Sequence, residues 1–197
     1  MNNNNNEAFI LASGSPRRLE LLRQLGLSFR VIPSTLEEKD QCGMEPRGQA
    51  SYYAREKAKE VAHRYPQQWI LAADTIVVVD EEILGKPLNE KEATAMLSRL
   101  SGRSHYVITG VCLLHAQYGV EESQAVETEV FMRNLSTADI EGYVATGEPM
   151  DKAGAYGIQG IGGCLVQRIE GSYSNVVGLP LCETVELLRR HGVADPF

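Results

Sequence analysis

The most informative segment of the chain reads Trp69-Ile-Leu-Ala-Ala-Asp-Thr-Ile-Val-Val-Val-Asp-Glu-Glu-Ile-Leu-Gly-Lys-Pro87. From Ile70 to Val79 it is largely apolar and rich in β-branched residues, which indicates a buried β-strand. Asp80-Glu81-Glu82 then supplies a polar turn, after which the chain starts its return. We therefore expect a long central strand here, with the rest of the fold arranged around it.

One residue inside this strand, Asp74, does not suit its apolar surroundings. Packing alone would favour an aliphatic side chain, and a buried carboxylate costs several kcal/mol unless it is paired or holds a metal. Thr75 places a hydroxyl beside it, and Lys86 adds a cation just after the turn. The segment allows two interpretations: a functional carboxylate, or a capped strand end followed by a surface lysine.

Two adjacent arginines mark the amino-terminal part of the chain. Residues 8–12 predict a short apolar strand, Ser15 is a suitable N-cap for the helix that follows, and Gly26 is a natural end for it. The helix dipole disfavours cations in the first turn by about a few tenths of a kcal/mol. Arg17 and Arg18 make sense there if an anion such as phosphate also binds. The alternative is a pair of solvated arginines.

Strands and helices are expected to alternate along the remainder of the chain. The further strands are predicted at Phe29–Ile32, His105–His115, Gln124–Arg133 and Cys164–Ile169. The further helices are predicted over Gln49–Tyr65, after the N-caps Asn89 and Ser136, and from Pro180. Ser172–Leu179 is expected to be a loop, and the two long strands to pair as a hairpin. This order predicts an α/β fold with a mixed, bent central sheet flanked by helices.

A glycine-rich segment, Asp151 to Gly163, has a backbone that can turn tightly and approach a ligand. It matches neither a dinucleotide-binding fingerprint nor a P-loop. Its polar members are Asp151, Lys152 and Gln159. The alternative to a ligand-binding loop is a simple glycine-rich bend. The acidic pair Glu37-Glu38 and the helical Lys57 are, on pattern alone, ordinary solvated charges.

Composition narrows the possible partners. The chain has 197 residues, 43% hydrophobic and 23% charged, which is enough for one good-sized domain. The net charge of −7 argues against nucleic acid polymers and anionic membranes. No apolar run approaches membrane-spanning length and no signal peptide is expected, so we predict a cytoplasmic protein. Residues 1–6 are expected to be a disordered, asparagine-rich tail.

The four cysteines and four histidines are scattered, and none has the spacing of a zinc site. Free thiols in a reducing compartment are expected. Any metal cofactor is therefore expected to be a divalent cation bound by oxygen ligands, such as Mg²⁺ or Mn²⁺.

Four motifs in this order resemble the Maf family of nucleoside triphosphate pyrophosphatases. They are Ala12-Ser-Gly-Ser-Pro-Arg-Arg18, Ala54-Arg-Glu-Lys-Ala58, Ala73-Asp-Thr75 with Gly85-Lys-Pro87, and Asp151-Lys-Ala-Gly-Ala-Tyr-Gly-Ile-Gln-Gly160. The resemblance extends from Phe9 to about Leu188, and the last motif is similar to that of the dTTP/UTP pyrophosphatase branch. It implies one Maf/ITPase-like domain over residues 7–197, elongated and two-lobed with a cleft between the lobes, and a homodimer.

The resemblance also implies roles for individual residues. Asp74 would be the catalytic proton acceptor and, with Glu38, a metal ligand; Glu37 is the neighbouring alternative to Glu38. The triphosphate would be held by Ser13, Arg18, Lys57 and Lys86. Base selection would involve Arg17, Thr75 and Gln159. These residues, which come from all four motifs and from the Glu37-Glu38 pair, together imply one reaction.

That reaction is the metal-dependent hydrolysis of pyrimidine nucleoside triphosphates to the monophosphate and pyrophosphate, with dTTP, UTP and modified pyrimidine nucleotides as substrates. The residue types suit it, because it needs a carboxylate near the attacking water, a dication and further cations around pyrophosphate. The alternative hypothesis is a non-catalytic, nucleotide-binding regulator of septation and cell division. That role needs the anion-binding residues but neither Asp74 nor a metal.

Overall fold

The computed structural model of the protein describes residues 8–37 and 43–196. The predicted tail at residues 1–6 and the predicted metal ligand Glu38 lie outside these ranges. No helix in the described part of the chain is both long and apolar enough to cross a membrane.

The described residues form a mixed α/β structure around a seven-stranded sheet. The strands are β1 Phe9–Leu11, β2 Phe29–Val31, β3 Ile70–Val79, β4 Glu82–Leu84, β5 Ser104–His115, β6 Val120–Met132 and β7 Val166–Glu170. Their order is β2-β1-β3-β5-β6-β7, and β4 pairs with β3. Strand β1 is parallel to β2 and β3, whereas β3–β4 and β6–β7 are antiparallel. The predicted α/β fold with a mixed central sheet and flanking helices is confirmed.

Six α-helices lie between or after these strands in the described ranges. They are α1 Pro16–Gln24, α2 Pro46–Arg64, α3 Glu90–Leu100, α4 Thr137–Val144, α5 Tyr173–Val177 and α6 Leu181–Arg190. The glycine-rich segment contains three short 3₁₀ helices, at Glu148–Asp151, Ala153–Ala155 and Gly160–Leu165. The predicted N-caps at Ser15, Asn89 and Ser136 are all present.

Several predicted boundaries were wrong. Helix α2 begins at Pro46 rather than Gln49, because proline suits the first helical position even without a side-chain cap. Strand β6 begins at Val120, well before the predicted Gln124. Residues expected to form a loop after Ser172 instead form α5. The Ser172 hydroxyl accepts a hydrogen bond from the Asn175 N–H, and the buried Asn175 amide donates to the Val107 carbonyl and the Thr128 hydroxyl.

The chain divides into two compact units, and strands β3, β5 and β6 each contribute residues to both. The first unit contains the described residues up to Asp74, Thr109–Val126 and the segment from Gly178 onward. Part of its core consists of small side chains from α2, including Ala54 and Ala58, packed with Ile70 and Ala72 of β3. Because these side chains are small, the helix can approach the sheet closely.

The second unit contains Thr75–Ile108 and Glu127–Val177. Its core joins Val77 of β3 with Leu97 of α3, Tyr143 of α4 and Leu165 of the last 3₁₀ helix. Strand β3 ends here in a two-residue turn, because Val79 pairs with Glu82 across it. Both turn residues, Asp80 and Glu81, have positive φ angles, of 51° and 65°.

Replacing Gly110 by alanine is expected to lower the free energy of unfolding by about 3 kcal/mol, the upper part of the range for overpacked sites. A Cβ atom at this β5 position would lie 2.3 Å from the carbonyl oxygen of Ala50 in α2. That neighbour is backbone and cannot rotate away. Urea unfolding measures the effect.

The matched control is Gly142→Ala in α4, where a Cβ atom meets nothing within 4 Å. Alanine there should raise the free energy of unfolding by about 0.5–1 kcal/mol, because it favours the helix. If both variants unfold at the same urea concentration, the tight packing of α2 on β5 is refuted.

The buried His105 makes the second unit sensitive to acid. Its Nε2 atom lies 2.7 Å from the Tyr156 hydroxyl, and burial lowers the pKa of His105 from 6.5 to about 4. The unfolded chain therefore binds a proton more readily, so this contribution to stability is complete above pH 6.5 and is lost as pH falls toward 4. At pH 4.5 the loss is about 2.5 kcal/mol relative to pH 7.

Urea unfolding at these two pH values measures the difference, which His105→Gln should reduce by about 2 kcal/mol. His63→Gln is the control, because His63 is exposed. If the stability of His105→Gln depends on pH as the wild-type stability does, protonation of another group causes the acid destabilisation.

Candidate active site

The packing of α2 on β3 determines which side chains meet at Asp74. Side chains alternate between the two faces of a strand, so Asp74 follows Ile70 and Ala72 on the face that α2 covers. On the helix, Lys57 comes three residues after Ala54 and so lies near the same stripe. The small side chains that bring the helix close therefore also bring an ammonium group to the carboxylate.

Lys57 and Asp74 form a direct, largely buried ion pair. The Lys57 Nζ atom donates to Asp74 Oδ1 over 2.6 Å. The two side chains are only 13% and 7% exposed. Such a charge-assisted hydrogen bond explains how a carboxylate can be buried in this strand. Asp74 lies in the middle of β3 rather than at its end, so it does not cap the strand, and its catalytic role stays a prediction.

The turn between β1 and α1 holds the second group of predicted residues. The hydroxyl oxygen of buried Ser13 accepts hydrogen bonds from the Ser15 N–H and from Arg18 Nη1, both over 3.2 Å. Arg18 Nε also donates to the Gly178 carbonyl oxygen over 2.7 Å. These contacts fix the arginine and use both acceptor positions of the hydroxyl, so its hydrogen is oriented to be donated.

These two groups lie at neighbouring strand positions in the first unit. Leu11 of β1 is opposite Leu71 of β3 in parallel register, and Ser13 and Asp74 follow two and three residues later. Ligands of α/β proteins commonly bind where parallel strands end and a helix begins. Helix α1 begins there with Arg17 and Arg18 and has no acidic residue in its first turn. This arrangement can attract an anion.

The other predicted residues are placed as follows. Arg17 is half-buried in α1 of the first unit. The second unit contains the half-buried Thr75, next to Asp74 on β3, the exposed Lys86 after β4, and the half-buried Gln159 before the last 3₁₀ helix. Their predicted contacts with substrate remain predictions.

The described residues contain no group of three or more His, Cys, Asp or Glu side chains that could hold a metal by themselves. Asp74 supplies one carboxylate, while Glu37 is exposed and Glu38 lies outside the described ranges. Mg²⁺ usually keeps several waters and is bound through one or two carboxylates together with substrate phosphates. The residues present therefore fit a cation that binds with a nucleotide.

Two contacts near the predicted residues were missed by the sequence analysis. The Gly178 carbonyl holds Arg18, but a backbone acceptor leaves no signal in residue types. In the second unit, Glu148 Oε1 accepts a hydrogen bond from the Gly162 N–H in the glycine-rich segment. An isolated glutamate after a helix gives no indication of such a contact.

Comparison with known proteins gives consistent matches. The family described as "Maf-like protein" matches residues 8–191. A protein from Syntrophotalea carbinolica described as dTTP/UTP pyrophosphatase is 50% identical over 191 residues, which is 95% of this chain and 86% of the relative. Relatives with the same description from Myxococcus xanthus and Halalkalibacterium halodurans are 52% and 51% identical, each over 95% of this chain and over 94% and 98% of their own length. This chain belongs to the Maf family.

Proposed function

We propose that this protein hydrolyses dTTP and UTP, and modified pyrimidine nucleoside triphosphates, to the nucleoside monophosphate and pyrophosphate. The observation that carries the proposal is the buried Lys57–Asp74 pair at the strand next to the Ser13–Arg18 turn. The relatives described as dTTP/UTP pyrophosphatases support the choice of substrate. In this proposal a general base and an anion-binding turn act on the same phosphate chain.

Asp74 is the proton acceptor for the attacking water. A general base must lie within hydrogen-bond reach of the proton it takes. Asp74 is fixed by Lys57 through Oδ1. The ion pair holds the side chain in one orientation while the nucleotide binds, and the surrounding apolar residues limit access of bulk water.

The triphosphate is held by cations and by a hydroxyl. Ser13 donates its hydroxyl hydrogen to a phosphate oxygen, and the Arg18 guanidinium, held beside that hydroxyl by Ser13 and Gly178, adds positive charge at the same group. Lys57 and Lys86 add positive charge for the leaving pyrophosphate. A divalent cation such as Mg²⁺ or Mn²⁺, held by Asp74 and Glu38, would neutralise phosphate charge and lower the pKa of a water.

Base selection is assigned to Arg17, Thr75 and Gln159. A glutamine amide has both a donor and an acceptor, so Gln159 can pair with the edge of uracil or thymine. We further propose that the Maf-like domain extends over residues 7–197, and that the protein acts in the cytoplasm as a homodimer. No nucleic acid polymer or membrane is involved, consistent with the net charge of −7.

The proposal is tested by incubating the purified protein with dTTP, UTP, CTP and GTP in the presence of Mg²⁺ or Mn²⁺. We expect equal amounts of monophosphate and pyrophosphate, fastest with a pyrimidine nucleotide. Separating the nucleotide products distinguishes this cleavage from removal of the terminal phosphate alone. Nucleotide binding without any product would refute the proposal and favour a non-catalytic regulator of septation.

A further inference from the structure

A network of hydrogen bonds surrounds Gln159 in the glycine-rich segment, and the proposed function does not yet assign it a role. Gln159 is the N-cap residue of the 3₁₀ helix Gly160–Leu165, yet its side chain makes no capping hydrogen bond. N-cap side chains commonly accept a hydrogen bond from the exposed N–H groups of the first turn. Another group must satisfy those N–H groups if Gln159 is to serve a different purpose.

Glu148 performs this capping from outside the helix. Its Oε2 atom accepts a hydrogen bond from the Ile161 N–H over 3.0 Å, and its Oε1 atom accepts one from the Gly162 N–H over 2.9 Å. The carboxylate thus binds two consecutive N–H groups just after Gln159. The side-chain amide of Gln159 is not needed at the helix end and can be directed to a ligand.

The segment is held on the other side of Gln159 as well. The Tyr143 hydroxyl donates to Glu148 Oε1 over 2.9 Å and accepts from the Gly157 N–H over 3.2 Å. Tyr143 is 3% exposed and belongs to the core of the second unit. The backbone is therefore fixed two residues before Gln159 and two to three residues after it, by one connected network.

Glu148 is itself fixed in place. Its backbone carbonyl accepts a hydrogen bond from Lys152 Nζ over 2.6 Å. Burial would raise the pKa of Glu148, but the hydrogen bonds from Gly162, Ile161 and Tyr143, together with the charge of Lys152, lower the pKa overall. A Cβ atom at Gly160 would lie 2.8 Å from Glu148 Oε2. The glycine at 160 thus leaves room for the carboxylate.

We propose that Glu148 is a positioning residue for base selection: by capping the turn in place of Gln159, it holds the Gln159 amide where it can pair with a pyrimidine base. This inference rests on the proposed function. Glu148 itself does not touch the nucleotide. Its removal should therefore weaken discrimination between bases while leaving the hydrolytic step largely intact.

The test compares kcat/KM for dTTP and for dGTP in the wild-type protein and in Glu148→Ala, Gln159→Ala and the double variant. We expect each single variant to reduce the preference for dTTP by about tenfold or more, through a higher KM, with kcat changed less than about threefold. The double variant should match Gln159→Ala, because Glu148 acts through that residue.

Glu141→Ala is the matched control, because Glu141 is an exposed glutamate on α4 and makes no contact with the segment among the described interactions. It should keep the wild-type preference. Glu148→Gln, which keeps one acceptor oxygen, should give an intermediate loss and covers the case in which Glu148→Ala does not fold. Amide hydrogen exchange should accelerate at Ile161 and Gly162 in the Glu148 variants.

The outcomes separate the two proposals. An active wild-type protein whose Glu148 variants keep the preference for dTTP would overturn the positioning role alone, even if exchange accelerates. Additive effects in the double variant would also overturn it, because Glu148 would then act independently of Gln159. A wild-type protein that hydrolyses no nucleotide would overturn the proposed function and this inference with it.

Discussion

Asp74→Asn is expected to lower kcat for dTTP by at least about 100-fold, the scale of a single acid–base group. Asparagine has nearly the same size, and its oxygen can still accept the hydrogen bond from Lys57, so the fold should be retained. What is lost is a group able to take a proton from water. Pyrophosphate release under saturating dTTP measures the effect, and circular dichroism checks the fold.

Asp80→Asn is the matched control for this experiment. Asp80 is an aspartate in the turn that ends the same strand, but it is exposed and paired with Arg103. Exposed ion pairs contribute little to stability, and asparagine tolerates the positive φ angle at this position. The control should keep its activity. A folded Asp74→Asn protein with near-normal turnover would show that another group accepts the proton.

Removal of divalent metal is expected to abolish activity to a similar extent, at least about 100-fold, because a dication supplies several kcal/mol of charge stabilisation in such reactions. The melting temperature should change little, since Lys57 already provides Asp74 with a partner when no metal is bound. Pyrophosphate release and a thermal melt are measured in excess EDTA and again after adding Mg²⁺ or Mn²⁺.

EDTA already saturated with Mg²⁺ is the control for effects of the chelator itself. Activity should return when metal is added back, without a refolding step. Full turnover in the presence of excess free EDTA would contradict the requirement for a divalent cation.

The parts of the fold that could be predicted are those determined by local sequence. Strand β3 has the predicted bounds because it is apolar over its length and ends in a polar turn. The start of α1 follows from Ser15, which caps the helix, and from Pro16, which suits its first position. Asp74 could be singled out because a carboxylate among aliphatic residues is costly anywhere in a folded chain.

Contacts between distant parts of the chain could not be predicted in the same way. Lys57 looks like any lysine on a helical surface until the packing of α2 on β3 brings it to Asp74. Helix α5 was missed because it is stabilised by Asn175, whose amide bonds to residues far away in sequence. The hydrogen bonds of Glu148 likewise depend on the chain returning to it at Ile161 and Gly162, which residue types alone do not indicate.

The charge balance of the Lys57–Asp74 pair bears on the order in which metal and nucleotide would bind. Two opposite unit charges 2.6 Å apart sum to zero, so this position offers little attraction to a bare dication before substrate is present. A nucleotide that brings its own counter-ion adds both signs of charge at once. In the proposed mechanism, the metal would therefore arrive together with the nucleotide rather than stay bound between turnovers.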